Sequence, residues 1–268
     1  MKKKKIQRIS LGFLLLLIFS LSACSKKRTA REVLSSSIAK SSKTSDCDME
    51  GNMKYKVTSK DSSENMNFIM AFQSKISNAS KKSMKMEMDS KISVFNQLIQ
   101  MNAHYTDGYY YLNTDNKQKQ KIKMNLKQLK EQLKNTTGQT QLSINNYTNL
   151  KLSQKDGRQI LSYDLTKKGR EEYIGIFMSQ LGSLTGNTSN QNPSNTVKIT
   201  SFSGTKILNE NDLPVRETLK LVMESKNGQP GKISISMDTV YKNPGKRVKV
   251  TLPSDLSSYQ KVSASQNK

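Results

Sequence analysis

Apolar and polar residues alternate over most of the chain from Met49 onward, and this period of two restricts the fold more than any other feature. A strand points successive side chains to opposite faces, so the alternation predicts half-buried strands of an antiparallel sheet. Short polar connections, among them Asp107-Gly108 and Asp156-Gly157, predict hairpin turns between successive strands. The pattern continues to Val248–Leu252, where we expect the last strand.

Three segments have helical spacing instead. Thr29–Glu32 has the sequence of a capping box, and it precedes a helix expected from about Ala30 to Lys43. Asn125 can cap a second helix that carries leucines on one face. A third helix is expected from about Lys167 to Leu184. Helices before and within a long run of strands predict an α+β fold.

The start of the chain has the features of a secretory signal peptide, which we expect to occupy residues 1–23 and to be cleaved. A basic start precedes an apolar run, Leu11–Leu21, that is too short to span a membrane. The run ends at Leu21-Ser22-Ala23-Cys24, which resembles the lipobox of bacterial lipoproteins. The resemblance implies that the Cys24 thiol carries a diacylglyceryl group, so that residues 24–28 form a lipidated tether to the membrane.

The charge of the chain restricts its partners. The net charge is +23, and four lysines and one arginine of the signal peptide account for five of these charges, which leaves 23 − 5 = +18 on the exported part. Such a surface attracts anionic polymers or lipids, although it also serves solubility alone. Export and the lack of a recognisable nucleic-acid motif argue against a nucleic-acid partner.

The sequence offers no catalytic constellation. His104 is the single histidine, and Cys47 is the only cysteine besides Cys24, so Cys/His zinc sites, the usual nucleophile–base pairs and an internal disulfide are all unsupported. Nucleophile-elbow, phosphate-loop and metalloprotease motifs are missing as well. The acidic residues of Asp46–Glu50 lack the glycine and final glutamate of a calcium loop. We therefore expect a non-catalytic protein that needs no cofactor or metal.

The order of the elements, together with several short motifs, resembles bacterial lipoproteins of the LolA/LolB-like superfamily, including LppX/LprG-type lipoproteins and Gram-positive relatives. The motifs are the lipobox, Asp107–Leu112, Leu208–Val215 and Val248–Pro253. The resemblance implies a strongly curved antiparallel sheet, or half-barrel, with an N-terminal helix and two inserted helices on its concave side. We expect residues 29–255 to form this single domain and the polar residues 256–268 to form a flexible tail.

Methionine and aromatic residues share one predicted face of the strands, and this face is where a ligand would bind. Methionine is flexible and polarizable, which suits a surface that accepts variable apolar groups. The same side chains would instead pack against the inserted helices if the interior is filled. The ligand-binding candidates are Phe68, Met70, Phe72, Met84, Met86, Met88, Met101, Tyr105, Leu219, Leu221 and Met223.

Two functions follow from this sequence. The first is a membrane-anchored, extracytoplasmic lipoprotein that binds a lipid or another apolar ligand in the concave face. The second is a structural or interaction lipoprotein with a filled core, whose basic surface contacts anionic cell-wall polymer or a partner protein. The lysine-, serine- and asparagine-rich composition suggests a Gram-positive source, and therefore the extracellular face of the cell membrane.

Overall fold

The computed structural model describes residues 27–59, 65–94, 97–115, 118–129, 142–185, 197–226 and 231–262; for residue 94 and residues 177–185 it describes the backbone alone. The expected signal peptide, Cys24 and most of the second expected helix lie outside the described residues. Among the described residues, no helix is long and apolar enough to cross a membrane.

The first helix, α1, extends over Ala30–Ser41 and confirms the expected N-terminal helix. Its capping box is formed, because Glu32 N donates to the Thr29 hydroxyl and Thr29 N donates to the Glu32 carboxylate. The helix α2 extends over Lys167–Thr185 and confirms the third expected helix. Residues 126–129 are helical where the second helix is expected to begin. Short 3₁₀ helices lie at Ile144–Asn146 and Leu256–Ser258.

Twelve strands form one curved, unclosed sheet in the order β12-β6-β5-β4-β3-β2-β1-β11-β10-β9-β8-β7. The strands are Cys47–Ser59 (β1), Met66–Ser77 (β2), Lys85–Val94 (β3), Gln97–Thr106 (β4), Tyr109–Thr114 (β5), Gln118–Lys123 (β6), Tyr147–Lys155 (β7), Arg158–Leu165 (β8), Val197–Leu208 (β9), Pro214–Ser225 (β10), Gly231–Tyr241 (β11) and Gln260–Val262 (β12). All described neighbours pair antiparallel except β6 and β12, which are parallel. This architecture agrees with the expected α+β half-barrel.

The register of the strands places the apolar residues on one face, which we call the inner face. Residues directly opposite each other in a ladder point to the same side of a sheet. Met53 of β1 lies opposite both Met70 of β2 and Met237 of β11, and Met237 lies opposite Leu219 of β10. The tight turns Asp107-Gly108 and Asp156-Gly157 join β4 to β5 and β7 to β8, and both residues of each turn have positive φ, as the two-residue hairpin requires.

Two apolar clusters cover the inner face. The larger cluster joins Leu34 of α1 and Ile174 of α2 to residues of β1, β7, β8, β9, β10 and β11. The smaller cluster lies over β2, β3 and β4, where Met86 and Tyr105 contact Met124 and Leu129. Helices α1 and α2 therefore bury one half of the sheet. Residues 126–129, where the second helix is expected to begin, cover part of the other half.

The C-terminal segment differs from the prediction in two ways. Val248–Leu252 has no regular secondary structure and pairs with no strand of the described sheet; instead Val248 N donates to Asp46 and Thr251 N donates to Glu87, both at 2.9 Å. Alternation alone cannot tell a sheet strand from a segment whose backbone bonds to side chains.

The expected tail 256–268 is also wrong up to Val262, since β12 pairs with β6 there. Tyr259 holds this end in place, because it packs edge-on against Tyr111 with ring centroids 5.4 Å apart. Tyr259 lies among polar residues in the sequence, and so its contact with Tyr111 was not predicted. Residues 263–268 lie outside the described part of the chain.

Candidate functional site

A cavity of about 160 Å³ lies between helix α1 and the inner face of β8–β11 and β1. The helix contributes Ser37, Ile38 and Ser41 to its wall, and the turn between β9 and β10 contributes Leu213 and Pro214. Residues 242–245 and Thr44 line it from the ends of β11 and α1. The cavity is thus bounded by the sheet, by α1, by Tyr173 of α2 and by the loops that follow these elements.

Apolar side chains form much of the cavity surface. Leu219 of β10 and Met237 of β11 lie side by side in the ladder, and Phe202 of β9 lies near them on the same face. Ile38 of α1 and Leu142 contribute further apolar surface. Removing apolar ligand surface from water is favourable by about 25 cal/mol per Å², so this wall suits an apolar group.

Three tyrosines surround one end of the cavity. The Tyr163 ring packs edge-on against Tyr147 at a centroid distance of 5.1 Å, and Tyr173 of α2 packs edge-on against Phe202 at 5.6 Å. Burial and the nearby Glu217 carboxylate raise the pKa of Tyr147, Tyr163 and Tyr173. Their hydroxyls therefore remain protonated and can donate hydrogen bonds at neutral pH.

Gly204 makes room for the Tyr163 ring. Gly204 lies directly opposite Tyr163 in the ladder between β8 and β9. A Cβ atom at Gly204 would lie 2.6 Å from the Tyr163 hydroxyl oxygen and closer still to its ring, which no real structure tolerates. The missing side chain therefore allows Tyr163 to lie flat across β9 and to reach β10.

A charged pair lies beside these aromatic rings. The Tyr163 hydroxyl donates to Glu217 Oε1 at 2.8 Å, and Lys206 Nζ donates to the same oxygen. Lys206 also lies over the Tyr163 ring, 6.0 Å from its centroid. Both charged side chains are largely buried, with 15% and 18% of their surface exposed. An ion pair in this setting needs its extra hydrogen bonds, because desolvation of two charges is costly.

A buried aspartate, Asp212, fixes the helix wall of the cavity. Asp212 lies in the turn between β9 and β10 and is 1% exposed. Its carboxylate accepts hydrogen bonds from Arg28, Ser36 and Lys40, which precede or lie on α1, and a weaker one from Gln159. Burial alone would raise the pKa of Asp212, but these donors outweigh it and lower the pKa to about 2.

The eleven predicted ligand-binding residues share the inner face but do not share one site. Leu219 lines the cavity, while Leu221 and Met223 are buried in the larger cluster and Phe68 and Met70 pack against it. The rest lie elsewhere: Met84, Met86 and Tyr105 are in the smaller cluster, and Phe72, Met88 and Met101 lie between the two. Ten of the eleven are therefore outside the described cavity lining.

The polar residues of the cavity were not predicted from the sequence, although the sequence contains one indication of them. Glu217 has the same parity as Leu219 and Leu221 on β10, so a charged residue occupies an apolar face. A charge at such a position has to be paired or functional. Its partners Lys206 and Tyr163 are distant in sequence, and only the ladder register brings them together.

The other chemically interesting residues have simpler surroundings. Cys47 is half-buried and lines the cavity. His104 is buried on the outer face opposite Glu87, and burial lowers the pKa of its imidazole. Within the described ranges, no three His, Cys, Asp or Glu side chains are grouped so that they could hold a metal ion.

The fold and the cavity define a class of protein: an open, curved antiparallel sheet whose inner face is covered by helices around a small, partly apolar cavity. The chain belongs to a family of unknown function, DUF6612, whose model matches residues 29–261. No curated protein matches the chain at a significant level.

The chain also matches solved structures whose sequences are very different from its own. LprF from Mycobacterium bovis is 10% identical and superposes with a TM-score of 0.46, covering 84% of this chain and 96% of that chain. A DUF1329 family protein from Desulfovibrio piger is 9% identical, with a TM-score of 0.28 and coverage of 80% and 92%. The ywiB protein from Bacillus subtilis is 8% identical, with a TM-score of 0.20 and coverage of 72% and 92%.

Proposed function

We propose that this chain is a bacterial lipoprotein, anchored through Cys24 at the extracellular face of the cytoplasmic membrane, that binds a lipid or another apolar ligand without catalysing a reaction. In this proposal it is a LolA/LolB-like half-barrel that holds part of its ligand beneath helix α1. The observation that carries the proposal is the cavity of about 160 Å³ between α1 and the inner face, with Phe202, Leu219 and Met237 in its wall.

The volume of the cavity limits what it accepts. A dry apolar cavity of about 150 Å³ takes a benzene-sized group, whereas sites for drug-sized ligands have about 300–1,000 Å³. The space of about 160 Å³ therefore holds one end of a lipid rather than a whole acyl chain.

The position of α1 in the sequence supports binding of a lipid from the membrane. Four residues lie between Cys24 and Thr29, the N-cap of α1, and each of the five steps from one residue to the next spans at most about 3.6 Å in a fully extended chain. The start of α1 would then lie within about 18 Å of the lipidated cysteine. The helix that covers the cavity is thus the element nearest to the membrane in sequence, where apolar ligands are available.

Ligand binding can be tested on the chain from Ser25 to Lys268, which contains every described element. We expect lipid to co-purify with it, as seen by native mass spectrometry and by organic extraction. Ser41→Trp fills the cavity from α1 and should abolish binding, whereas Ser35→Trp, on the exposed side of the same helix, should not. If no lipid co-purifies and none binds when added, the proposal is wrong.

The anchor has its own test. The two acyl chains of a thioether-linked diacylglyceryl group bind a membrane stably, whereas one acyl chain binds it only marginally. Cells that produce the full chain should therefore incorporate labelled palmitate into it, and Cys24→Ala should remove the label. An unlabelled wild-type chain would contradict the lipoprotein assignment.

Exposed lysines on the outer face support a second candidate function, which is binding of an anionic wall polymer. Lys54 of β1 and Lys220 of β10 are exposed there, and Ser236 of β11 lies between them in the ladder. Polyphosphate of defined length should then bind with an affinity that falls steeply with salt. Lys54→Glu combined with Lys220→Glu should weaken binding more than the charge-matched control Lys43→Glu combined with Lys155→Glu. Equal losses in both would exclude this surface.

A further inference from the structure

A row of polar side chains crosses the inner face at the cavity. Lys206 of β9 lies opposite Glu217 of β10, and Glu217 lies opposite Thr239 of β11. All three line the cavity. The next row along the same strands holds Gly204, Leu219 and Met237. The cavity therefore has a polar end beside an apolar one.

The hydrogen bonds at the polar end leave several groups available. Glu217 Oε1 accepts from both Lys206 and Tyr163, while Oε2 accepts no hydrogen bond from the described residues. The hydroxyls of Tyr147 and Tyr173 likewise have no hydrogen-bond partner in the described part of the chain, and both residues line the cavity. A carboxylate oxygen only accepts, whereas a phenol both donates and accepts. The polar end thus presents one acceptor together with two groups that can donate.

The charges at this end compensate each other. Lys206 and Glu217 form an ion pair and add no net charge. A charged group that entered the cavity would be attracted by one member of this pair and repelled by the other. The pair therefore offers no net charge to offset the hydration that the entering charge loses at a largely buried site. An uncharged group that can donate and accept avoids this desolvation cost.

We propose that the ligand of this cavity ends in an uncharged, hydroxyl-bearing group, as a monoacylglycerol or a long-chain alcohol does. Its hydroxyl donates to Glu217 Oε2 and accepts from Tyr147 or Tyr173, while its chain follows the apolar row towards Leu219. This inference rests on the proposed function and names the class of ligand for the same site. A fatty acid of the same length has the same chain, but its carboxylate would lose hydration without a net opposite charge beside it.

The test compares three amphiphiles of equal chain length on the chain from Ser25 to Lys268: decanol, decanoate and decylammonium, at neutral pH, below the solubility limit of decanol and below the critical micelle concentrations of the two ions. Isothermal titration calorimetry should give a Kd for decanol at least about tenfold lower than for either ion, because one satisfied hydrogen bond and the avoided desolvation of a charge together are worth that much. This comparison on the wild-type chain does not depend on any variant being folded.

A pair of variants then assigns the selectivity to the polar end. Glu217→Gln removes the charge but keeps the size, so decanoate should bind about tenfold more tightly and the preference for decanol should shrink. Glu224→Gln, on the same strand but on the outer face, should leave the preference unchanged.

The outcomes separate this inference from the proposed function. Decanoate binding as tightly as decanol to the wild-type chain would overturn the inference and leave apolar binding intact. An unchanged preference in a folded Glu217→Gln chain would also overturn it. Failure of all three amphiphiles to bind would overturn the proposed function and this inference together.

Discussion

The guanidinium of Arg28 donates to both carboxylate oxygens of Asp212, at 2.9 and 3.0 Å, and so joins the start of α1 to the turn between β9 and β10. Ser36 and Lys40 donate to the same carboxylate at 2.5 and 3.1 Å. Paired geometry of this kind is the strongest form of an arginine–carboxylate contact. Since α1 covers the cavity, one side chain in a turn fixes the position of the cavity wall.

Asp212→Asn should destabilise the protein by about 1–3 kcal/mol. The carboxylate is buried, but the side chains of Arg28 and Lys40 are 43% and 48% exposed and can regain water when it is lost. The cost should therefore be below that of a fully buried pair. Urea unfolding, followed by circular dichroism, measures it. Asp156→Asn is the matched control, because Asp156 is exposed in a turn with φ of 50° that asparagine also adopts; equal losses in both variants would refute the role of Asp212.

The Asp212 contact should weaken in acid. The folded-state pKa is about 2, below the unfolded value of about 3.9, so the stabilisation is fully present above pH of about 4 and is lost as the pH falls towards 2. The difference in unfolding free energy between wild type and Asp212→Asn should shrink over this range. A pH series of urea denaturations checks this, and a difference that stays constant from neutral pH to pH of about 2 would contradict it.

Gly204→Ala should destabilise the sheet and disturb the polar end of the cavity. The added methyl group meets the Tyr163 ring, and overpacking of this kind costs about 1–3 kcal/mol. The displaced ring would lose its hydrogen bond to Glu217, so decanol binding should weaken as well. Gly175→Ala in α2, where a Cβ meets nothing within 4 Å, should instead stabilise the helix by up to about 1 kcal/mol. A stable Gly204→Ala chain with intact binding would show that Tyr163 does not need this space.

Tyr259→Ala should release the C-terminal end of the chain. The Tyr259 side chain is buried against Tyr111, with Lys119 Nζ 5.9 Å from its ring centroid. Removing a buried aromatic ring costs about 3–5 kcal/mol. Hydrogen exchange should then accelerate at the amides of β12, whereas Lys261→Ala, which changes an exposed side chain, should not accelerate it. Unchanged exchange in the Tyr259 variant would contradict this role.

The regular part of the fold was predictable because it depends on local patterns. Alternation placed strand residues in each of β1 to β11 but did not give the bounds of these strands, and the capping box of Thr29 and Glu32 set the start of α1 within one residue. The hairpin turns were recognisable because Asp-Gly adopts positive φ at low cost. These features need only neighbouring residues, so a single sequence contains them.

The site was harder to predict because it depends on register. The predicted residues do share the inner face, but parity cannot say which part of a face the helices cover, and so it does not distinguish Met86 from Leu219. The polar end needs Tyr163, Gly204 and Glu217 from three strands, and Gly204 matters only because it lies opposite a ring. The strand predicted at Val248–Leu252 does not form, for the related reason that alternation does not reveal which groups the backbone bonds to.

The most direct test of the central claim uses Cys47, which lines the cavity and is the one thiol in the chain from Ser25 to Lys268. Its rate of alkylation by iodoacetamide should fall about tenfold when decanol is present at ten times its Kd, because only the unliganded fraction reacts. The Ser41→Trp chain, in which the cavity is filled, should show no effect of decanol. An alkylation rate that decanol leaves unchanged in the wild-type chain, while calorimetry reports saturation, would place the ligand outside this cavity and contradict the account.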